Sequence, residues 1–271
     1  MNCVSNLHCH SVYSDGNDTL EEIIQTAVKL GLSSIGISDH AYAPYDLEVC
    51  IPAEKMEEYR RELFALKEQY RDVIPVYAGM EVDAFHLYNK GDWDYVIGSV
   101  HYVRGKHGYY DIDYAPDKFQ QAIEDLGSIR AVVESYGQTL VQMALEYRPP
   151  ILGHLDIVTR LVRKGMIPLD TNASWYRDMW LEITRQIAES GCVVEVNTSA
   201  IYRGQSPEPF PSVDILKMLR ERKVPIILSS DAHQKENLIA AFDQACELLK
   251  AIGYRSRKVL GLQGFADVPL E

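Results

Sequence analysis

The sequence predicts an α/β fold built on a parallel sheet, and three observations carry that expectation. Short apolar segments of strand length alternate with amphipathic helical segments along the chain. The apolar segments are rich in β-branched residues and lack in–out alternation, the pattern of strands covered on both faces. Histidines and carboxylates cluster just after the C-terminal ends of these segments, where α/β sheets and barrels build their sites.

Strands are expected at Val4–Leu7, Ser34–Ser38, Pro75–Ala78, Tyr95–Ser99, Ile151–Gly153, Cys192–Val196 and Pro225–Ser229. Between the first two, Thr19–Leu30 places Leu20, Ile23, Ile24, Ala27 and Val28 on one stripe. Glu22, three residues after Thr19, completes a capping box, and Gly31 stops the helix. Ala53–Tyr70 reads as a longer charged helix, and Asp117–Tyr136 and Thr139–Tyr147 as two more. Ser174–Glu189 stops at Gly191, Val213–Arg222 follows a proline-rich loop, and Glu236–Ile252 stops at Gly253. Alternating strands and helices of this kind suit a closed parallel barrel or an open doubly wound sheet. No Gly/Ser linker, charge run, low-complexity segment or internal repeat divides the chain, so residues 1–271 are expected to form a single domain.

Composition narrows the function classes. The 27 Lys and Arg against 39 Asp and Glu give a net charge of −12, which argues against a protein that coats nucleic acid or an anionic membrane. No uncharged apolar run is long enough to span a bilayer, and the first residues lack a signal-peptide pattern. The 5 cysteines, Cys3, Cys9, Cys50, Cys192 and Cys246, form no CxxC pair and read as reduced thiols of a cytoplasmic protein.

Of the 8 histidines, His8, His10, His40, His101, His154 and His233 follow expected strands, and only His86 and His107 sit in loop-like sequence. Asp15, Asp39, Glu81, Asp156 and Asp231 join them, and Glu195 and Asn197 stand two apart on the sixth strand. The pairs His8/His10 and Asp231/His233 have the same spacing, which in extended chain puts both side chains on one face. A single HxH or Asp-His pair is weak evidence of a metal site. Imidazoles and carboxylates converging from many strand ends form the donor set of Zn, Mn, Fe or Co. Cys9, between the two histidines, points the other way and is expected in the core.

Leu7-His8-Cys9-His10-Ser11 with Ser14-Asp15-Gly16, Gly36-Ile37-Ser38-Asp39-His40, Gly79-Met80-Glu81, Gly98-Ser99-Val100-His101, Gly153-His154-Leu155-Asp156 and Ser229-Ser230-Asp231-Ala232-His233 together resemble the polymerase-and-histidinol-phosphatase (PHP) superfamily. The motifs occur in family order over almost the whole chain. The resemblance implies a distorted (β/α)7, TIM-like barrel with the metal site at the C-terminal ends of its strands. Within the superfamily the chain looks like the stand-alone histidinol-phosphate phosphatases, with Glu195-Val196-Asn197-Thr198-Ser199 adding to the match.

That resemblance implies three divalent metal ions. His8, His10, Glu81 and Asp231 would hold one, and Glu81 would bridge to a second held by His101 and His154. Asp15, His40 and His233 would hold the third, with Asp15 standing where some relatives carry His. The three cations would outweigh the three ligand carboxylates and leave a locally positive pocket in an acidic protein. Metal binding lowers the pKa of water and would supply a hydroxide for in-line attack on a phosphomonoester, with no phosphoenzyme.

Arg160 and Arg203, just after the fifth and sixth strands, are expected to clamp the phosphate. Asp156 is expected to protonate the leaving oxygen or to orient a ligand. Glu195, Asn197, Tyr42 and Tyr110 are expected at the substrate, in the last two cases from the loops Tyr42–Asp46 and Tyr109–Tyr114, which are rich in acids and tyrosines suited to an ammonium and an imidazole. The partner is therefore a small phosphomonoester, with L-histidinol phosphate first and a nucleotide or another small ester as the alternative. An amidohydrolase also opens with HxH, but it bridges its metals with a lysine where this chain has Glu81. A metal-binding module without enzymatic activity would leave the two arginines unexplained.

Overall fold

The computed structural model describes residues 4–86 and 93–270. Met1, Asn2 and Cys3, at the start of the segment that lacks a signal-peptide pattern, lie outside the described residues. The strands in chain order are β1 (Ser5–Asn6), β2 (Ser34–Ile37), β3 (Val76–Ala78), β4 (Glu81–Asp83), β5 (Ile97–Ser99), β6 (Tyr102–Arg104), β7 (Tyr109–Asp111), β8 (Ile151–Leu152), β9 (Val193–Asn197), β10 (Ile226–Ser229), β11 (Ser256–Gly261) and β12 (Gly264–Pro269). The helices are α1 (Leu20–Lys29), α2 (Met56–Gln69), α3 (Pro116–Leu126), α4 (Ile129–Gln142), α5 (Arg160–Arg163), α6 (Ser174–Ser190), α7 (Ser199–Tyr202), α8 (Val213–Glu221) and α9 (Phe242–Ile252).

The α/β class is as expected, and the strands that correspond to the expected ones pair in parallel. β1, β2 and β3 form one ladder. A second sheet has the order β12-β11-β10-β9-β8-β5-β4, parallel except for the antiparallel β11–β12 hairpin. The hydrogen-bond ladders do not draw the closed barrel that the resemblance implied. The two sheets are joined by isolated bridges, Cys9 with Ala232 and His40 with Glu81. Gly79 and Met80 separate β3 from β4, and Asp231 takes a left-handed φ of 54° two residues after the end of β10, so the backbone leaves the ladder where it presents ligands. The β6–β7 and β11–β12 hairpins were not expected. Their strands are short or solvent-facing and carry little apolar signal.

Local sequence explains the helices. Thr19 and Glu22 form the expected capping box of α1, with Thr19 N–H donating to Glu22 Oε2 at 3.0 Å and Glu22 N–H to Thr19 Oγ1 at 3.3 Å. Leu20, Ile23, Ile24 and Ala27 are buried, whereas Val28 lies off the stripe and is 37% exposed. The expected helix Asp117–Tyr136 is two helices. Gly127, at φ 95°, ends α3, and Ser128 caps α4 by accepting from the Ala131 N–H at 3.1 Å.

Alternation along the strands stacks the interior in layers. Leu7 and Tyr77 pack with Ile97, Ile151, Val193 and Ile227 of the other sheet in one apolar cluster, the floor beneath the site. Two residues on, Ser99, Gly153, Glu195 and Ser229 form a polar layer. A Cβ on Gly153 would lie 2.3 Å from Ser99 Oγ, so glycine leaves that hydroxyl its place. The floor is closed by Tyr95, whose phenol donates to Leu7 O at 2.5 Å. A Cβ on Gly79 would fall 2.1 Å from Tyr95 Cζ. Gly79→Ala is therefore expected to destabilise the protein by about 2 kcal/mol or more through overpacking, read as a fall in the denaturant midpoint. An unchanged midpoint would mean that the floor tolerates a displaced Tyr95.

Candidate metal centre

The strand ends bring all nine expected ligands into one cluster. Glu81, the first residue of β4, lies at its middle. Its Oε2 is 3.1 Å from His8 Nε2, 3.5 Å from His10 Nε2 and 3.2 Å from His40 Nδ1. Its Oε1 is 3.0 Å from His154 Nε2 and 3.5 Å from His101 Nε2, and these two ring nitrogens are 3.2 Å apart. Asp231 Oδ1 is 3.2 Å from His10 Nε2 and 3.7 Å from His8 Nε2. Asp15 is 2.9 Å from His233 Nε2 and 3.8 Å from His40 Nε2. Ligand atoms close enough to share an ion fall into three overlapping groups: His10, Asp15, His40 and His233; His8, His10 and Glu81; and His40, Glu81 and His101.

Electrostatics fits cations at this place. Burial opposes a charge on Glu81 and Asp231, yet the surrounding imidazoles, His8 foremost, hold both carboxyls well below the ordinary range. Burial likewise opposes a proton on His8 and His101, but neighbouring carboxylates raise both, His101 to about 10. Burial and the neighbouring His233 and His40 push His10 down to about 4. His10 is 1% exposed, and neither of its ring nitrogens has a hydrogen-bond partner among the described residues. A buried neutral imidazole without a partner, facing carboxylates and other imidazoles, is the arrangement a transition-metal ion would satisfy.

Support from behind the ligands is specific. Glu195, expected at the substrate, is fully buried beneath them. It accepts from His8 Nδ1 at 2.6 Å, from the His154 N–H at 2.7 Å and from Ser229 Oγ at 2.5 Å. It leaves His8 with Nε2 toward Glu81, the carboxylate–imidazole arrangement that orients metal ligands. Asn197 donates to Glu195 and Asp231 at 3.1 and 3.3 Å and is also buried. Asp83 accepts from the His101 N–H at 2.9 Å. Asp39 accepts from the Ser11 N–H at 2.7 Å and from Ser14 Oγ at 2.5 Å, shaping the loop that carries Asp15. The HxH and ExN spacings pointed to these positions, but only the fold separates ligand from support.

The cluster opens into a cavity of about 680 Å³. Arg160 and Arg203 both line it. Arg160 donates to Asp113 Oδ2 at 2.8 Å and lies 3.7 Å from Asp231, and Arg203 lies 2.9 Å from His233 Nδ1. Three further expected residues lie apart from the cluster. Asp156 lines a different cavity, of about 930 Å³, where it pairs with Arg163 at 2.9 Å. The Tyr42 ring packs on His86, and the Tyr110 phenol donates to Asp125 at 3.1 Å. The loops that hold these tyrosines do reach the cavity, through Asp46, Asp111, Asp113 and Tyr114. Side-chain direction in a loop depends on its turns, which composition does not reveal.

Because Glu195 fixes His8, Glu195→Gln is expected to weaken metal binding about 10- to 100-fold in competition with a chelator, with the fold retained. Unchanged affinity would show that Glu195 does not orient a ligand.

Residues 6–199 match the model of the PHP domain. The chain is 26% identical over 273 residues to the histidinol-phosphatase of Bacillus subtilis (strain 168), covering 89% of this chain and 97% of that protein. It is 28% identical over 269 residues to a protein of Deinococcus radiodurans described as a probable histidinol-phosphatase, covering 94% and 95%. Among solved structures, histidinol phosphate phosphatase from Lactococcus lactis subsp. lactis, complexed with Zn, L-histidinol and phosphate, superposes with a TM-score of 0.68. The identity is 19%, over 97% of this chain and 99% of that one. The order of motifs, the buried histidine–carboxylate cluster and a domain match running from β1 past β9 agree, and this chain belongs to the PHP domain family.

Proposed function

We propose that this chain is a metal-dependent phosphomonoesterase that hydrolyses L-histidinol phosphate to L-histidinol and phosphate. The observation that carries the reading is one cavity holding both the buried cluster around Glu81 and the two arginines, with full-length similarity to histidinol-phosphatases beside it. The nine clustered side chains would hold three divalent ions: His8, His10, Glu81 and Asp231 one, Glu81, His101 and His154 a second, and Asp15, His40 and His233 the third. Zn, Mn, Fe and Co all suit this donor set. We read the two ladders as arcs of one distorted (β/α)7 barrel within a single domain, and the four described cysteines, none in a disulfide, as thiols of a cytoplasmic protein.

When bound, the metal ions supply positive charge for the phosphoryl oxygens and lower the pKa of water toward neutrality. The chain's own side chains do the rest. Glu81, with Oε2 toward His8, His10 and His40 and Oε1 toward His101 and His154, would offer one oxygen to each of two ions. His233 Nδ1 is 3.0 Å from Asp231 O and 2.9 Å from Arg203 Nη2, both of which would compete for it. With the Nε2 lone pair given to a metal ion, Nδ1 would keep its proton and donate to Asp231 O. Arg203 is then left with free donors for an anion. Arg160 is held at the cavity wall by Asp113 and presents its remaining N–H groups to the same place.

Steady-state kinetics on L-histidinol phosphate against nucleotides and aryl phosphates tests the reading. The metal-loaded enzyme is expected to prefer L-histidinol phosphate and to lose activity to a chelator. Arg203→Ala is expected to lower kcat/KM at least about tenfold, the worth of one charged hydrogen bond to phosphate. Preference for a nucleotide, or metal uptake without hydrolysis of any phosphomonoester, would contradict it.

A further inference from the structure

The cavity carries charges of both signs. Metal ligands, Arg160 and Arg203 line it, and Arg160, 8% exposed, has an Nε without a hydrogen-bond partner among the described residues. The β6–β7 hairpin and the loop before α2 line it as well. The hairpin pairs Tyr102 directly with Asp111, and both line the cavity. The Tyr102 phenol in turn hydrogen-bonds Asp46, which lines it too.

Two partly buried carboxylates of these segments have no lysine or arginine partner. Among the described residues neither Asp46 nor Asp111 pairs with a lysine or arginine, whereas Asp113 is answered by Arg160. Burial raises the Asp46 carboxyl, and burial with the adjacent Asp113 pushes Asp111 up to about 6. The cationic side chains acting on Asp46 are His40 and His101, both assigned above to metal ions rather than to a paired lysine or arginine. Partly desolvated carboxylates beside an aromatic face, in the cavity that Arg160 and Arg203 also line, suit a ligand with a cation at one end and phosphate at the other.

We propose that Asp46 and Asp111, joined through Tyr102, bind the cationic end of the substrate and make the enzyme selective for phosphate esters of amino alcohols over neutral esters. This rests on the phosphatase reading above and assigns the residues that read the alcohol.

Non-hydrolysable probes test it without turnover. Calorimetry on the metal-loaded enzyme is expected to show 2-aminoethylphosphonate binding at least about tenfold more tightly than 2-hydroxyethylphosphonate. That ratio is expected to fall toward one in Asp46→Asn and in Asp111→Asn. The Asp111→Asn amide keeps an acceptor for the N–H groups of Asp113, Tyr114 and Ala115, so this variant carries the test if Asp46→Asn does not fold. Equal binding of the two probes by the native enzyme, or a ratio unchanged in the variants that fold, overturns the proposal. Turnover of L-histidinol phosphate is measured separately, so either reading can fail while the other stands.

Discussion

The structure depends on where one carboxylate sits. Glu81 is 2% exposed, at the start of β4, and its backbone joins the two sheets. Its N–H donates to Asp39 O at 3.1 Å, and its carbonyl accepts from the Ala41 N–H at 2.8 Å. Its side chain meets imidazoles from four other strand ends, through His8 and His10, His40, His101 and His154. Ser99 Oγ donates to it at 2.5 Å from the polar layer below. A carboxylate so buried persists only if charge and hydrogen bonds surround it. Where β4 begins, how the ladders break at Gly79 and why the interior turns polar above the apolar floor all serve that requirement.

The same constraint orders the charges around it. Beside the cluster two buried carboxylates are answered by arginines, Asp113 by Arg160 and Asp156 by Arg163. Inside it, carboxylates and imidazoles crowd together, and only added cations would relieve both the orphaned His10 and the carboxylates beside it. An acidic protein can thus offer an anion a positive site, because much of the acidity nearest the site is turned toward ligands.

The sequence carried the fold class and the gathering of the nine side chains, because short apolar strands and residues at their C-terminal ends follow a simple period. It carried less about roles. Glu195 and Asn197 share a face with each other, but whether that face meets substrate or the back of His8 depends on β1 lying alongside β10. Asp156 follows His154 by two residues, yet the chain turns there, and Asp156 ends in another cavity with Arg163. The hairpin that brings Tyr102 to Asp111 left little apolar trace, so the loop was legible as acidic and aromatic while its inward side chains were not. No stretch apolar enough to cross a bilayer was seen in the sequence, and among the described residues no helix is long and apolar enough to do so.

The central claim is that Glu81 would hold two metal ions together. Elemental analysis of Glu81→Ala beside the native protein, both loaded with the same divalent metal and freed of excess, measures this most directly. The account predicts that the variant folds and loses about two or more equivalents of metal together. Loss of one equivalent or none would contradict it.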